Sequence, residues 1–145
     1  MKKFAFRLQR VLDYRQSLKK ESERELLEKN NHLYECEEQL DNIISEQDKC
    51  MIREEDILMS GAELVLHGDY KHKLQDALVQ QRLLVLEAID AVTSARDLYV
   101  RRSMEQEVLD NLRQKKVDEY RQDKRRHEQK DMDELVVQRH RFKQK

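Results

Sequence analysis

Proline and tryptophan are absent from this 145-residue sequence, and glycine occurs only at positions 61 and 68. Proline and glycine are the residues that most strongly end helices, so the chain outside 61–68 holds little that would interrupt one. Few, very long helices are expected. The same scarcity excludes a glycine-rich phosphate loop and a nucleophile elbow, and no strand pattern is available to carry an α/β catalytic site. Cysteine is also sparse: Cys36 and Cys50 are the only two. Fourteen residues on one helix span roughly 21 Å, far beyond disulfide reach, so reduced, packed thiols and a cytoplasmic setting are expected. No apolar run approaches the length of a bilayer span. The start Met1-Lys2-Lys3 imitates a signal peptide, but Arg7, Arg10 and Asp13 interrupt any apolar core behind it, so export by that route is not expected.

What the sequence does contain is charge. Lys, Arg, Asp and Glu make up 41% of the residues, against 38% in the hydrophobic class. The net charge of -1 conceals a segregation: residues 1–20 and 113–145 together sum to +11, and residues 21–112 to -12. If the two ends meet in space, one tip is basic and the other acidic. The length suits a single domain, here an elongated one spanning 1–145.

The apolar residues recur at steps of four and three. From Tyr70 to Leu112 the stripe takes in Tyr70, Leu74, Ala77, Leu84, Ala88, Ala91, Ala95, Leu98, Leu109 and Leu112, broken by Gln81, Arg102 and Glu105. A mean step of about 3.5 residues marks a helix lying along another helix. Upstream, Phe4, Leu8, Val11 and Leu18 begin a matching stripe, and Leu26, Leu33, Cys36, Leu40, Ile43, Cys50 and Ile57 continue it after one extra residue near Ser22, with Arg15, Gln47 and Glu54 as polar members.

The fold expected is all-α: two long helices in an antiparallel coiled-coil hairpin, with a short hinge helix and a C-terminal helical overhang. Helix one is expected over about 4–59, the hinge over 60–69 and helix two over about 70–142. In the hinge, Gly61 supplies a C-cap, Ser60 and Glu63 form a capping box for a short helix at 62–66, and Asp69 caps helix two. Folding back near residue 65 pairs residues whose numbers total about 130. Leu40 and Ile43 then meet Ala88 and Ala91, Cys36 lies near Ala95, and Phe4 reaches Arg126. From Ala77 to Val100 there are more apolar residues than a two-helix seam needs, which calls for a partner or self-association.

Three other patterns have plain readings. His127-Glu128-Gln129-Lys130-Asp131 has the outline of a helical zinc-peptidase motif, with Asp in place of the second His, but lies on a highly charged segment and reads as a solvated helix face. Neither a metal nor another cofactor is expected. The basic ends are interleaved with Asp118, Glu119, Asp123 and Glu128, which repel phosphates, so no nucleic-acid partner is expected. The first turns, Phe4, Phe6 and Leu8 among basic residues, offer too short an apolar face to favour direct membrane insertion.

The N-terminal string Phe4-Ala5-Phe6-Arg7-Leu8-Gln9-Arg10-Val11-Leu12-Asp13-Tyr14-Arg15 resembles the opening of the flagellar export family FliJ. The C-terminal segment, with Tyr120, Glu128 and Asp133-Glu134 among bases, is similar to that family's charged last helix. The resemblance implies a non-enzymatic antiparallel coiled coil like the γ stalk of rotary ATP synthases, working in the cytoplasm at the face of the cell membrane. The implied partners are the hexameric export ATPase, the cytoplasmic component of the membrane export gate and export chaperones; membrane association would be peripheral, through those partners. It places the gate contact at Tyr70, Leu74, Ala77 and Gln81, with Gln81 where some members carry His. The basic tip then holds the ATPase contacts: Phe4, Phe6, Arg7, Leu8, Arg10, Val11, Tyr120, Arg121, Lys124 and Arg125. By spacing alone the four gate residues belong to the intramolecular seam. The surplus apolar residues allow the other arrangement, with Leu78, Val85, Ile89 and Val92 facing helix one and Tyr70, Leu74 and Ala77 outward. Related readings are the equivalent stalk of a virulence type III secretion system and a general coiled-coil scaffold that self-associates through 77–100.

Overall fold

The computed structural model describes residues 3–56 and 59–143, the side chains of 54–56 and 141–143 excepted. Met1, Lys2, Ile57 and the side chain of Glu54 therefore lie outside the described residues. The protein is an all-α helical hairpin of two long helices, α1 (Gln9–Asp56) and α2 (Gly61–Lys143), with no strand among the described residues. It divides into two compact units, residues 1–19 with 102–145, and residues 20–101.

The expected hinge helix is absent. α2 runs without a break from Gly61 through Gly68 to Lys143, and neither glycine has a positive φ. Glycine permits a left-handed turn but does not impose one. With no proline in the sequence, the hydrogen-bond ladder continues through Gly68 at a cost of about 0.5–1 kcal/mol relative to alanine, offset by cooperative propagation on both sides. The Ser60–Glu63 capping box does form. The Ser60 backbone N–H and hydroxyl donate to Glu63 Oε2 at 2.8 and 2.9 Å, and the Glu63 N–H donates back to Ser60 Oγ at 3.4 Å. What it opens is the whole of α2 rather than one short turn. α1 likewise starts at Gln9, not Phe4, and residues 4–6 lead into it as non-helical chain.

The Glu63 carboxyl is held below its ordinary value of 4.5, first by the Ser60 backbone N–H and then by the Ser60 hydroxyl. A carboxyl whose pKa is lower in the folded than in the unfolded chain adds stability above the unfolded value and loses it as pH falls through the folded one. The difference in Tm between the unaltered chain and Glu63→Ala should therefore be present at neutral pH and shrink toward zero in acid. A difference independent of pH would show that the carboxylate is not what caps α2.

In the unit of residues 20–101 the seam alternates steps of three and four, broken on α1 only at Lys29, whose side chain is exposed. On α1 it comprises Ser22, Leu26, Leu33, Cys36, Leu40, Ile43, Gln47 and Cys50; on α2, His67, Lys71, Leu74, Leu78, Gln81, Val85, Ala88, Val92, Ala95 and Tyr99, all buried or half-buried. Small side chains at Ser22, Ala88, Cys36 and Cys50 are the most deeply enclosed, as close helix approach requires. Both cysteines are buried free thiols.

Two contacts set the antiparallel register. Gln81 Nε2 donates to the Cys36 carbonyl at 2.9 Å, and Cys50 Sγ lies 3.6 Å from His67 Nδ1. The paired numbers, 36 with 81 and 50 with 67, share one total of 117 rather than 130. Leu40 and Ile43 thus come level with residues near 77 and 74, not with Ala88 and Ala91, and Cys36 meets Gln81, not Ala95. The difference follows from the missing hinge helix, since the chain reverses before Gly61 instead of around residue 65.

In the unit of residues 1–19 with 102–145, Leu12 is the centre of packing at 0% exposure, while Val11 is 42% exposed. The seam therefore passes through Leu12, Arg15 and Lys19 to Ser22 in unbroken heptad steps, and the expected extra residue near Ser22 is not needed. Arg15 forms an ion pair with Glu105, and Arg102 Nη1 donates to the Leu18 carbonyl at 3.0 Å. Phe4 packs on Tyr120, ring centroids 5.6 Å apart and planes at 54°, rather than reaching Arg126. Every described side chain of α2 from 121 to 140 is exposed, so the overhang begins about five residues earlier than expected.

Candidate functional site

The N-terminal residues that precede α1 are tied down by aromatic packing and by one turn of backbone. Gln9 N–H donates to the Phe6 carbonyl at 3.1 Å and Leu12 N–H to the Leu8 carbonyl at 2.9 Å, which orders the entry into α1. Phe4, Phe6 and Leu8 are half-buried, alternating with exposed Ala5 and Arg7. Between this segment and α2 runs an open groove of about 630 Å³, with Phe4, Phe6, Leu8, Leu112 and Tyr120 as its apolar lining and Arg7, Lys116, Glu119 and Asp123 at its rim. The site residues expected of this tip are therefore brought together in two sets. Phe4, Phe6, Leu8 and Tyr120 form the half-buried groove wall, and Arg7, Arg10, Val11, Arg121, Lys124 and Arg125 present exposed side chains. Leu112, read from the sequence as a member of the α2 stripe and not as a site residue, joins the wall, and Lys116, which the sequence did not single out, sits at the rim.

Several bases of the tip are balanced on their own helix. Lys116 pairs with Glu119 at 2.7 Å, Arg121 with Asp118 at 3.6 Å, Lys124 with Glu128 at 3.7 Å and Arg126 with Asp123 at 3.8 Å. All of these side chains are more than half exposed, so each pair contributes only about 0.3–0.5 kcal/mol and can open for a partner.

The second candidate surface sits in the unit of residues 20–101 and its four residues separate by burial. Tyr70 is 47% exposed, Leu74 and Ala77 are half-buried, and Gln81 is 7% exposed. The Gln81 amide is spent within the hairpin, on the Cys36 carbonyl and on Gln39 Oε1 at 3.3 Å. The spacing-based stripe and the observed seam share Leu74, Gln81, Ala88 and Ala95 but alternate members move by one residue: Leu78 and Val92 are buried where Ala77 and Ala91 are half-buried. Tyr70 lines a recess of about 370 Å³ together with Glu46, Lys49, Cys50, Leu66 and His67. The Glu46 carboxyl there is held below its usual value, mainly by its hydrogen bond with Lys49, with a further hydrogen bond from Tyr70.

No metal-binding group of three or more His, Cys, Asp or Glu occurs among the described residues, and the side chains of His127, Glu128 and Asp131 are exposed. No helix among the described residues is long and apolar enough to cross a membrane.

The model of the flagellar FliJ protein family matches residues 3–145, which take in both helices and both candidate surfaces whole. The chain belongs to the flagellar FliJ family. No curated protein and no solved structure matches it. As a FliJ-family member the chain is a component of the flagellar protein export apparatus.

Proposed function

We propose that this FliJ-family chain is a non-enzymatic stalk and adaptor that links the hexameric export ATPase to the cytoplasmic component of the export gate, and that it also receives export chaperones. It works in the cytoplasm, at the membrane face, held there by its partners. The observation that carries the reading is the tip formed by Phe4, Phe6, Leu8, Leu112 and Tyr120, an apolar groove rimmed by Arg7 and Lys116 and continued by a fully exposed helix from 121. A rigid, asymmetric helical end with exposed bases suits the inside of a ring, where it meets successive subunits unequally. Phe4, Phe6, Arg7, Leu8, Arg10, Val11, Tyr120, Arg121, Lys124 and Arg125 are the ATPase contacts in this account. Tyr70, Leu74 and Ala77 are the gate contacts, with Gln81 acting beneath them as the residue that fixes their register.

Co-sedimentation with the cognate export ATPase hexamer tests it. The unaltered chain should bind at low salt, and Phe4→Ala with Tyr120→Ala should weaken binding about tenfold, the loss expected of two half-buried aromatic contacts. Absence of binding by the unaltered chain refutes the reading. A scaffold that self-associates is the competing account, favoured by the exposure of Val79, Leu83 and Leu86 on the outer side of α2; a stable multimer with no affinity for the ATPase would establish it instead.

A further inference from the structure

In the unit of residues 20–101, the two flanks of the α2 seam differ in kind. The positions one residue before alternate seam members, Tyr70, Ala77, Leu84, Ala91 and Leu98, are apolar at every seventh residue. Tyr70 and Leu84 are each 47% exposed, and Ala77, Ala91 and Leu98 are half-buried. The next row outward, Lys73, Gln80, Glu87 and Ser94, is polar and exposed, and the opposite flank carries Gln75, Arg82 and Arg96 with Ile89 as its one apolar member. An apolar column bounded by a seam on one side and a polar row on the other is where a third helix packs in a bundle.

The α1 wall facing this column is identified by its contacts. Glu46 lines the same recess as Tyr70, and Gln39 meets Gln81, so the heptad row through Glu25, His32, Gln39 and Glu46 looks onto the column. The row beyond it holds Glu28 and Glu35. Lys29 is the one base beside this row away from the turn; Lys49 and Arg53 sit at the turn end, and Lys49 is taken up by Glu46 at 2.9 Å. The groove is thus apolar on the α2 side and acidic on the α1 side.

We propose that this groove receives an amphipathic helix from another protein, with an apolar stripe seated on Ala77, Leu84, Ala91 and Leu98 and a row of Lys or Arg along the α1 edge. Charge argues for a foreign helix over a second copy of the same unit. Residues 20–101 hold ten bases against nineteen acids, a net of -9, so two such units placed face to face repel. The groove shares Tyr70 and Ala77 with the proposed gate surface, but it extends to Leu98 and stands without that partner's identity.

The test uses the full chain and two synthetic amphipathic helical peptides of about 28 residues, four heptads, identical except that one carries Lys and the other Glu along one edge. Fluorescence anisotropy should show the Lys-edged peptide binding about tenfold tighter than the Glu-edged one, with the advantage lost at high salt. Leu84→Asp should weaken that binding at least about thirtyfold with unchanged circular dichroism, whereas Leu86→Asp, on the outer face, should leave it within about twofold. Equal binding of the two peptides, no binding of either, or equal losses from Leu84→Asp and Leu86→Asp would overturn the proposal. So would a dimer of the chain alone that Leu84→Asp dissolves, including one made through the basic C-terminal helix of a second copy. Gate-component binding that needs Tyr70 and Leu74 but not Leu84 would contradict this groove while leaving the gate reading intact. Peptide binding through Leu84 without any gate-component binding would do the reverse.

Discussion

Truncating Leu12 to alanine is expected to cost about 3 kcal/mol of stability, whereas the same truncation of its neighbour Val11 should stay within about 0.5 kcal/mol. Leu12 is fully buried where α1 packs on α2 beside Arg15 and Glu105, and a cavity there cannot be filled by the long polar side chains around it. Val11 is exposed to solvent over 42% of its surface and has little apolar area to lose. Urea unfolding of the two variants reads the difference directly. Equal losses, or a larger loss at Val11, would mean that the seam runs through the other residue and that the tip groove is differently built.

The second large effect is overpacking at a buried small residue of the seam. Ala88 is 4% exposed, and Ala88→Leu forces a branched side chain into a seam of small residues at a cost of about 2 kcal/mol. Leu84→Asp, four residues earlier on the flank, should cost much less, because that side chain already reaches water. Thermal unfolding should therefore rank Ala88→Leu below Leu84→Asp in Tm. The opposite rank would place Leu84 in the seam and close the groove proposed for a third helix.

The residues that misled the sequence reading share one physical cause. On α2 two adjacent heptad columns are apolar, one through Tyr70, Ala77, Leu84, Ala91 and Leu98 and the other through Leu78, Val85 and Val92. Both have a 3.5-residue mean step when combined with Leu74, Gln81, Ala88 and Ala95, so spacing alone does not choose between them. Burial does: the bulkier column closes the hairpin and the other is left on the flank. Val11 and Leu12 present the same ambiguity on α1, and choosing Val11 created the apparent extra residue near Ser22. The turn was half legible. Ser60 and Glu63 announced a helix start through their side-chain chemistry, and that start is where it was read. Gly68 announced nothing, because its effect depends on the helices on either side. Helical content, the antiparallel pairing within each unit and the aromatic-basic terminal residues were readable because absence of breakers and heptad spacing act locally. The register was not, because it depends on where α2 begins: within residues 20–101 the total moves from 130 to 117, and in the other unit Phe4 meets Tyr120 instead of Arg126.

The central claim, that the tip around Phe4 and Tyr120 is the end that enters the ATPase ring, is tested most directly by position-specific photo-crosslinking. A photo-reactive amino acid is placed at Arg121, beside the tip, in one protein and at Leu64, in the first turn of α2, in another; both side chains are exposed. With the hexameric export ATPase and light, Arg121 should give a crosslinked ATPase subunit that high salt suppresses, and Leu64 should give none. Crosslinks from Leu64 and not from Arg121 would contradict the account.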